Sequence, residues 1–322
     1  MNRTRIIAIS AAVAAGALGL TACGNSDAGG GASGSVRVDG SSTVAPLTSA
    51  AAEKFKQENP GINVTVGTSG TGGGFEKFCR GEIDMADASR PIKDTEAAAC
   101  KTAGVGYGSL TVANDALSIV VNKQNTWAKC LTTAQLKAIW EPGSKVNNWN
   151  QVDPAYPNEA LQLFGPGTDS GTFDFFTAAI NGKEDASRTD YTPSEDDNVV
   201  VTGVAGTKGG MGYFGFTYFE ENQDKLNVVE VNSGKGCVAP SAAAVQDGTY
   251  SPLGRPLFIY PSTNTLKTNT AFQPFLEYYV SNDSSIAEAA KFIPLSDTQR
   301  TKLTADYKAL LAQAGLPAPS AS

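Results

Sequence analysis

The chain has 322 residues, 32 acidic and 25 basic, for a formal net charge of −7, and it contains no histidine. The missing imidazole excludes Ser-His-Asp and Cys-His catalysis and histidine phosphotransfer, and it removes the usual ligand of zinc and non-haem iron sites. The acidic balance argues against a nucleic-acid partner, which would want a basic face, while 41% hydrophobic and 18% charged residues describe a globular body with enough chain for two lobes.

Residues 1–22 read as a signal peptide: Arg3 and Arg5 precede an apolar run, Ile6 to Leu20, that is too short and too alanine-rich for a membrane span. The run ends in Leu20-Thr21-Ala22-Cys23, which resembles the bacterial lipobox. That resemblance implies that Cys23 is lipid-modified, so the expected location is extracytoplasmic, anchored to the cell membrane. Residues 23–35 are small and polar and read as a flexible tether. With Cys23 assigned to lipid, Cys79, Cys100, Cys130 and Cys237 form an even set in an exported protein, and two disulfides are expected. Of the three connectivities, Cys79–Cys100 with Cys130–Cys237 is favoured, because each pair then lies within one lobe. Without a C-x-x-C or a histidine, no metal or other cofactor is expected.

Val36 to Val38 is a short strand that breaks at Asp39-Gly40-Ser41-Ser42-Thr43, after which Pro46, Leu47, Ala51 and Phe55 follow helical spacing. Ser42 and Thr43 thus stand at a helix mouth, as caps or as ligand hydroxyls. Ile62, Val64 and Val66 alternate as a second strand before the glycine run Gly67 to Gly74, where glycine allows close backbone approach to a ligand. No Lys-Ser or Lys-Thr follows, so this is not a nucleotide P-loop. Gly81 to Ile92 is a third strand ending in a polar turn, with Ser89 and the cation Arg90 just past its end.

Leu117 to Val121 enters a second segment, in which Thr133 is read as the cap of a helix carrying Leu136, Ile139 and Trp140. Leu161 to Phe164 is a strand feeding Gly165 to Ile180, where a glycine-rich turn runs into an amphipathic helix bearing Phe173, Phe176, Ala179 and Ile180. Ser170 or Thr172 caps it, and its first N–H groups, with the dipole, make an anion cradle. Met211 to Phe219 reads as a buried strand with its turn, and Trp127, Trp140 and Trp149 as core. Leu257 to Tyr260 leads the chain back, and later helices with Phe272, Phe275, Leu303 and Tyr307 cover the first lobe. The pattern is an α/β protein of two lobes, residues 36–115 with 255–316 and residues 116–254, whose polar turns gather at strand carboxyl ends in the cleft between them.

DGSSTVAPL at Asp39, GTSGTGGGFEKF at Gly67, GEIDMADASRPI at Gly81, LTTAQLKAIW at Leu131, GPGTDSGTF at Gly165 and GMGYFGFTYFEEN at Gly210 together resemble the PstS type of phosphate-binding protein. Those proteins are extracytoplasmic receptors of ABC importers with a class II periplasmic-binding fold. The resemblance covers nearly all of the mature chain. It implies phosphate contacts from Ser41, Ser42 and Thr43, from Thr71, and from Ser170, Gly171 and Thr172. Two positions depart from the best-known members: Ser89 stands where they have a phosphate-binding aspartate, and Pro166 where they have an arginine. The residues themselves suggest an exchange, with Arg90 supplying the cation and Asp169 the acid, and Asp87 as the competing acid.

The expected function is therefore reversible capture of inorganic phosphate by a non-enzymatic monomer that delivers it to ABC permease subunits and meets the membrane only through the Cys23 lipid. The alternatives are a receptor for sulfate or molybdate, which would use the same turns, and a phosphate-ester hydrolase, for which no activated nucleophile is evident.

Overall fold

The computed structural model describes residues 33–318. The leader, Cys23 and the tether up to residue 32 lie outside the described residues. β1 (Gly34–Gly40) takes in the last two tether residues, Gly34 and Ser35, because its ladder with β2 (Ile62–Val66) starts at Gly34. Between them α1 (Ala45–Glu58) buries Leu47, Ala51 and Phe55, four residues apart on one face. α2 (Gly70–Cys79) begins inside the glycine run. β3 (Met85–Ala88) pairs parallel with β1, and α3 (Asp94–Thr102) is tied to α2 by the Cys79–Cys100 disulfide.

The long β4 (Leu110–Asn122) leads to β5 (Cys130–Thr132) and α4 (Thr133–Trp140). The cap of α4 is Thr132 and not Thr133: Thr132 Oγ1 accepts from Gln135 N–H while the Gln135 side chain accepts from Thr132 N–H, a reciprocal box that only this spacing allows. Next come α5 (Trp149–Val152), β6 (Gln162–Gly165) and α6 (Gly171–Phe176), which runs on as a π-helical turn over Thr177–Asn181. β7 (Thr192–Pro193) and α7 (Asp197–Gly206) precede β8 (Gly210–Gly215). The expected strand stops there, because past Gly215 the residues Phe216–Glu221 coil into α8 and bury only Phe216. β9 (Leu226–Asn232), β10 (Cys237–Val238) and α9 (Ala242–Gln246) follow, with Cys130–Cys237 bonding β5 to β10. The chain then returns through β11 (Gly254–Pro261) to α10 (Thr263–Thr268), α11 (Phe272–Ser281), α12 (Asp283–Ala289) and α13 (Asp297–Gln313).

The strands lie in the order β2-β1-β3-β11-β4-β8-β6-β7, with β9 also on β4 and carrying β5 and β10. Because β1, β2 and β3 are parallel, their carboxyl ends open on one edge, and the first turn, the glycine helix and Ser89-Arg90 emerge side by side. The fold is two-lobed and mixed α/β. One core gathers Val36, Leu47, Phe55, Phe275 and Leu303, and another Trp140, Trp149, Phe176, Tyr213 and Val231. β4 serves both, giving Leu110, Val112 and Ala113 to the first and Ala116, Leu117 and Ile119 to the second; Leu253 and Leu257, on either side of the start of β11, divide in the same way.

Candidate functional site

The first turn is pinned from below and open above. Ser41 N–H donates to the Asp87 carbonyl at 2.9 Å, and α1 has Val44 at its N-cap position and no side-chain cap. The hydroxyls of Ser42 and Thr43 are therefore not spent on the helix: Ser42 Oγ donates to Asp174 Oδ2 at 3.3 Å and Thr43 Oγ1 to the Gly171 carbonyl at 3.3 Å. The backbone N–H groups of Ser42 and Thr43 have no acceptor among the described residues.

The second element is the glycine-rich start of α2, where Ser69 caps no N–H with its side chain and the first turn's donors stay free of intrahelical partners. Ser69 is instead held by Asp39, whose Oδ1 accepts from both its N–H and its hydroxyl at 2.9 and 2.7 Å. Burial alone would raise the Asp39 carboxyl, but the bonds from Lys77 and Ser69 outweigh it and hold the group below its usual range. Thr71 reaches across to the third strand: its hydroxyl lies 3.1 Å from Ser89 Oγ and accepts from Ser89 N–H at 3.2 Å.

These pieces, with Arg90, line one cavity of about 450 Å³, which holds Ser41, Ser42, Thr43, Thr71, Ser89 and Arg90 in its wall. Arg90 lies there already paired, its two outer nitrogens donating to the two oxygens of Glu96 at 2.9 and 2.7 Å. The bond to Glu96 raises the guanidinium's affinity for its proton; burial alone would raise the Glu96 carboxyl, but the bonds from Arg90 and the Lys93 N–H, with the charges of both residues, together outweigh it and hold Glu96 below its usual range.

The third turn behaves differently from the expectation. Ser170 Oγ accepts from Thr172 N–H at 3.2 Å, so it is an ordinary helix cap, and the Gly171 carbonyl is engaged by Thr43. A Cβ on Gly171 would stand 2.9 Å from the Thr43 backbone nitrogen, which is how closely the two turns press together. Ser170, Gly171 and Thr172 consequently do not line the cavity, and Thr172 faces a separate cleft of about 90 Å³. Asp169 is exposed at the outside of the turn and is not in the cavity wall either. The acids that do reach the wall are Glu184 and Asp174, the latter one helical turn beyond Ser170. Burial pushes the Asp174 carboxyl up to about 6, with Glu184 and Asp185 adding repulsion and the Ser42 hydroxyl opposing them. Helical spacing from the Ser170 cap was the signal that could have identified Asp174.

Asp87, the competing acid, is sealed beneath the first turn with no exposed surface and is absent from the cavity wall. Sequence reasoning missed Arg255, Phe175 and Lys93, all in the wall. Arg255 follows Gly254 at the second crossing between the cores, and a lone charge at such a crossing was the available signal. Its Nε donates to Asp115 Oδ2 at 3.2 Å, one terminal nitrogen to the Ser89 carbonyl at 3.4 Å and the other to Thr43 Oγ1 at 3.1 Å. Burial pulls the guanidinium down and pushes Asp115 up, and each is the main counterweight to the other. The wall is thus a set of hydroxyls and free N–H groups with three cations, Arg90, Arg255 and Lys93, and two acids, Asp174 and Glu184, an arrangement suited to an oxyanion that carries a proton.

The PBP superfamily domain model matches residues 25–283. Protein SphX of Synechococcus elongatus is 47% identical over 276 residues, spanning 85% of this chain and 81% of that protein. The phosphate-binding protein PstS of Staphylococcus saprophyticus is 40% identical over 296 residues, 92% of this chain and 90% of its own length. The crystal structure of a possible phosphate binding protein from Planctomyces limnophilus, 44% identical, matches with a TM-score of 0.82 over 88% of this chain and 99% of that one. The chain belongs to the PBP superfamily and, within it, to the family of the SphX and PstS proteins.

Proposed function

We propose that this protein is an extracytoplasmic receptor that captures inorganic phosphate between its lobes and delivers it to the permease of an ABC importer. The observation that carries this reading is the convergence of Ser42, Thr43, Thr71 and Ser89 with Arg90 and Arg255 on one cavity, from segments far apart in the chain. A desolvated phosphate needs nearly all of its hydrogen bonds to water replaced, and hydroxyl and N–H dipoles do this without requiring a basic protein. The names of the phosphate-binding PstS relative and of the possible phosphate binding protein from Planctomyces limnophilus support the same ligand. The ligand set we assign is Ser41, Ser42, Thr43, Thr71, Ser89 and Arg90, joined by Arg255 and Asp174. We assign the lobes to residues 36–115 with 255–316 and to residues 116–254, a division supported by the separate cores. The protein acts as a monomer and carries out no chemistry on its ligand.

Asp174 gives the site its selectivity. A carboxylate beside an anion is tolerable where the ligand brings a proton to share, as monohydrogen phosphate does and sulfate at neutral pH does not. Since the Asp174 carboxyl titrates at about 6, it is charged at pH 7.5 and largely neutral at pH 5. Calorimetric titration at both values is expected to show one-to-one phosphate binding, and sulfate rejection that weakens at pH 5. Asp174→Asn should be nearly as permissive to sulfate at pH 7.5 as the native protein is at pH 5. Absence of phosphate heat from folded, ligand-stripped protein would overturn the receptor reading, and a sulfate ratio indifferent to both pH and the substitution would remove Asp174 from it.

A further inference from the structure

The two arginines in the cavity wall are not equivalent. Arg90 presents its two outer nitrogens to the two oxygens of Glu96, a fork-to-fork pair whose charges cancel locally, and its side chain is 32% exposed. Arg255 is 17% exposed and shares only one oxygen of Asp115, while its other bonds go to uncharged acceptors, the Ser89 carbonyl and the Thr43 hydroxyl. A guanidinium has five N–H groups, and these contacts use at most four, so one N–H has no acceptor among the described residues. Both uncharged acceptors belong to cavity-wall residues.

The place of Arg255 in the fold adds a second property. It stands opposite Asp115 in the β11–β4 register, at the changeover where both strands pass from one core to the other. Its guanidinium carbon lies 3.6 Å from the centroid of the Phe175 ring, on α6 in the second core, while its bonds to Thr43 and Ser89 reach elements of the other lobe. The position of this one group therefore depends on the packing of both lobes.

We infer that Arg255, and not Arg90, is the principal counter-charge for the bound anion, and that its mounting between the crossing strands and Phe175 couples ligand capture to lobe closure. The inference rests on the phosphate reading above. Asp115 acts as a positioning residue: it holds the guanidinium still at a crossing where an unpaired long side chain would be mobile, and by engaging it through a single carboxylate oxygen it leaves one terminal N–H for a ligand. Phe175 closes the rear of the same group by a cation–π contact, which is stronger when water is excluded.

The test is phosphate titration by calorimetry together with the ligand-induced change in radius of gyration by small-angle scattering. Arg255→Gln alone would leave Asp115 buried and unpaired, so it is made with Asp115→Asn and compared with Asp115→Asn by itself, which isolates the guanidinium. The expected result is a loss of roughly tenfold to hundredfold in affinity between those two proteins, with loss of the compaction on adding phosphate. Arg255→Lys, which keeps the charge and loses the planar fork, should recover part of the affinity and little of the compaction. Arg90→Gln should weaken binding by less than the removal of Arg255 and leave compaction in place at saturating ligand. Equal losses at the two positions, or a larger one at Arg90, would overturn the inference while the receptor reading stands. No phosphate heat from the native protein would overturn both.

Discussion

Asp87 shows how far one buried group can set the behaviour of the site beneath which it lies. Its Oδ1 accepts from Thr48 Oγ1 at 3.0 Å, and its Oδ2 has no partner among the described residues. Burial pushes this carboxyl up to about 8, the Thr48 bond opposing and the Asp39 charge assisting, so the group is neutral at pH 7. Unfolded, it would titrate near 3.8. Between those values the folded state holds a proton that the unfolded state releases, so stability is full at low pH, falls as pH rises towards 8, and is level above. Asp87→Asn keeps the neutral form throughout. Urea denaturation from pH 5 to pH 8 should therefore show the native protein losing a few kcal/mol relative to the variant, since each pKa unit corresponds to about 1.4 kcal/mol; parallel curves would mean that Asp87 is ionised in the fold. At this scale the sequence was only partly legible. The hydroxyls of Ser42, Thr43, Thr71 and Ser89 could be placed because each follows a strand end, whereas Asp87 and Asp169 read alike as acids near polar turns and differ only in what packs on them.

Among the elements, α2 is where a local rule and a tertiary contact oppose each other. Glycine inside a helix costs about 1 kcal/mol relative to alanine, so the run Gly72-Gly73-Gly74 looks wasteful. A Cβ on Gly74, however, would lie 2.5 Å from the Cα of Gly40 and 3.0 Å from the Asp39 carbonyl oxygen, both backbone atoms that cannot rotate away. Overpacking of this kind costs about 1–3 kcal/mol, which exceeds the propensity gain. Gly74→Ala should thus destabilise the protein in urea by up to about 2 kcal/mol net and weaken phosphate binding, because α2 carries Thr71 away from Ser89 as it shifts. A variant of raised stability would show that α2 moves without cost. The helix itself was foreseeable from Phe75 and Phe78, but its start inside the glycines was not, since composition there reads as a turn.

For the whole molecule, two large cores joined by β4 and β11 suit a receptor that closes on its ligand, and each disulfide ties neighbouring elements, Cys79–Cys100 joining α2 to α3 in a smaller cluster and Cys130–Cys237 joining β5 to β10. Among the described residues no helix is long and apolar enough to cross a membrane. We propose that the chain is held at the membrane by lipid on Cys23, as the Leu20-Thr21-Ala22-Cys23 motif implies. Cys23→Ala should abolish the lipid mass on the mature N-terminus and shift the protein from the membrane fraction to the soluble one; retention in the membrane with unchanged mass would refute the anchor.

The sequence alone determined the α/β class, the strand ends that become polar turns and the family, because strand alternation, helical spacing and glycine placement are properties of about ten consecutive residues. The absence of histidine, likewise a matter of composition, set aside most enzymatic readings before any fold was known. Only the tertiary structure decided which polar groups face the cavity. Ser170 is consumed by its own helix, Asp169 turns outward, and Arg90 is neutralised by Glu96, while Arg255 reaches Thr43 from 212 residues away. The physical reason is that a side chain's role depends on whether its hydrogen-bonding capacity is already used by neighbours, and those neighbours are fixed by packing between distant strands and not by the local pattern.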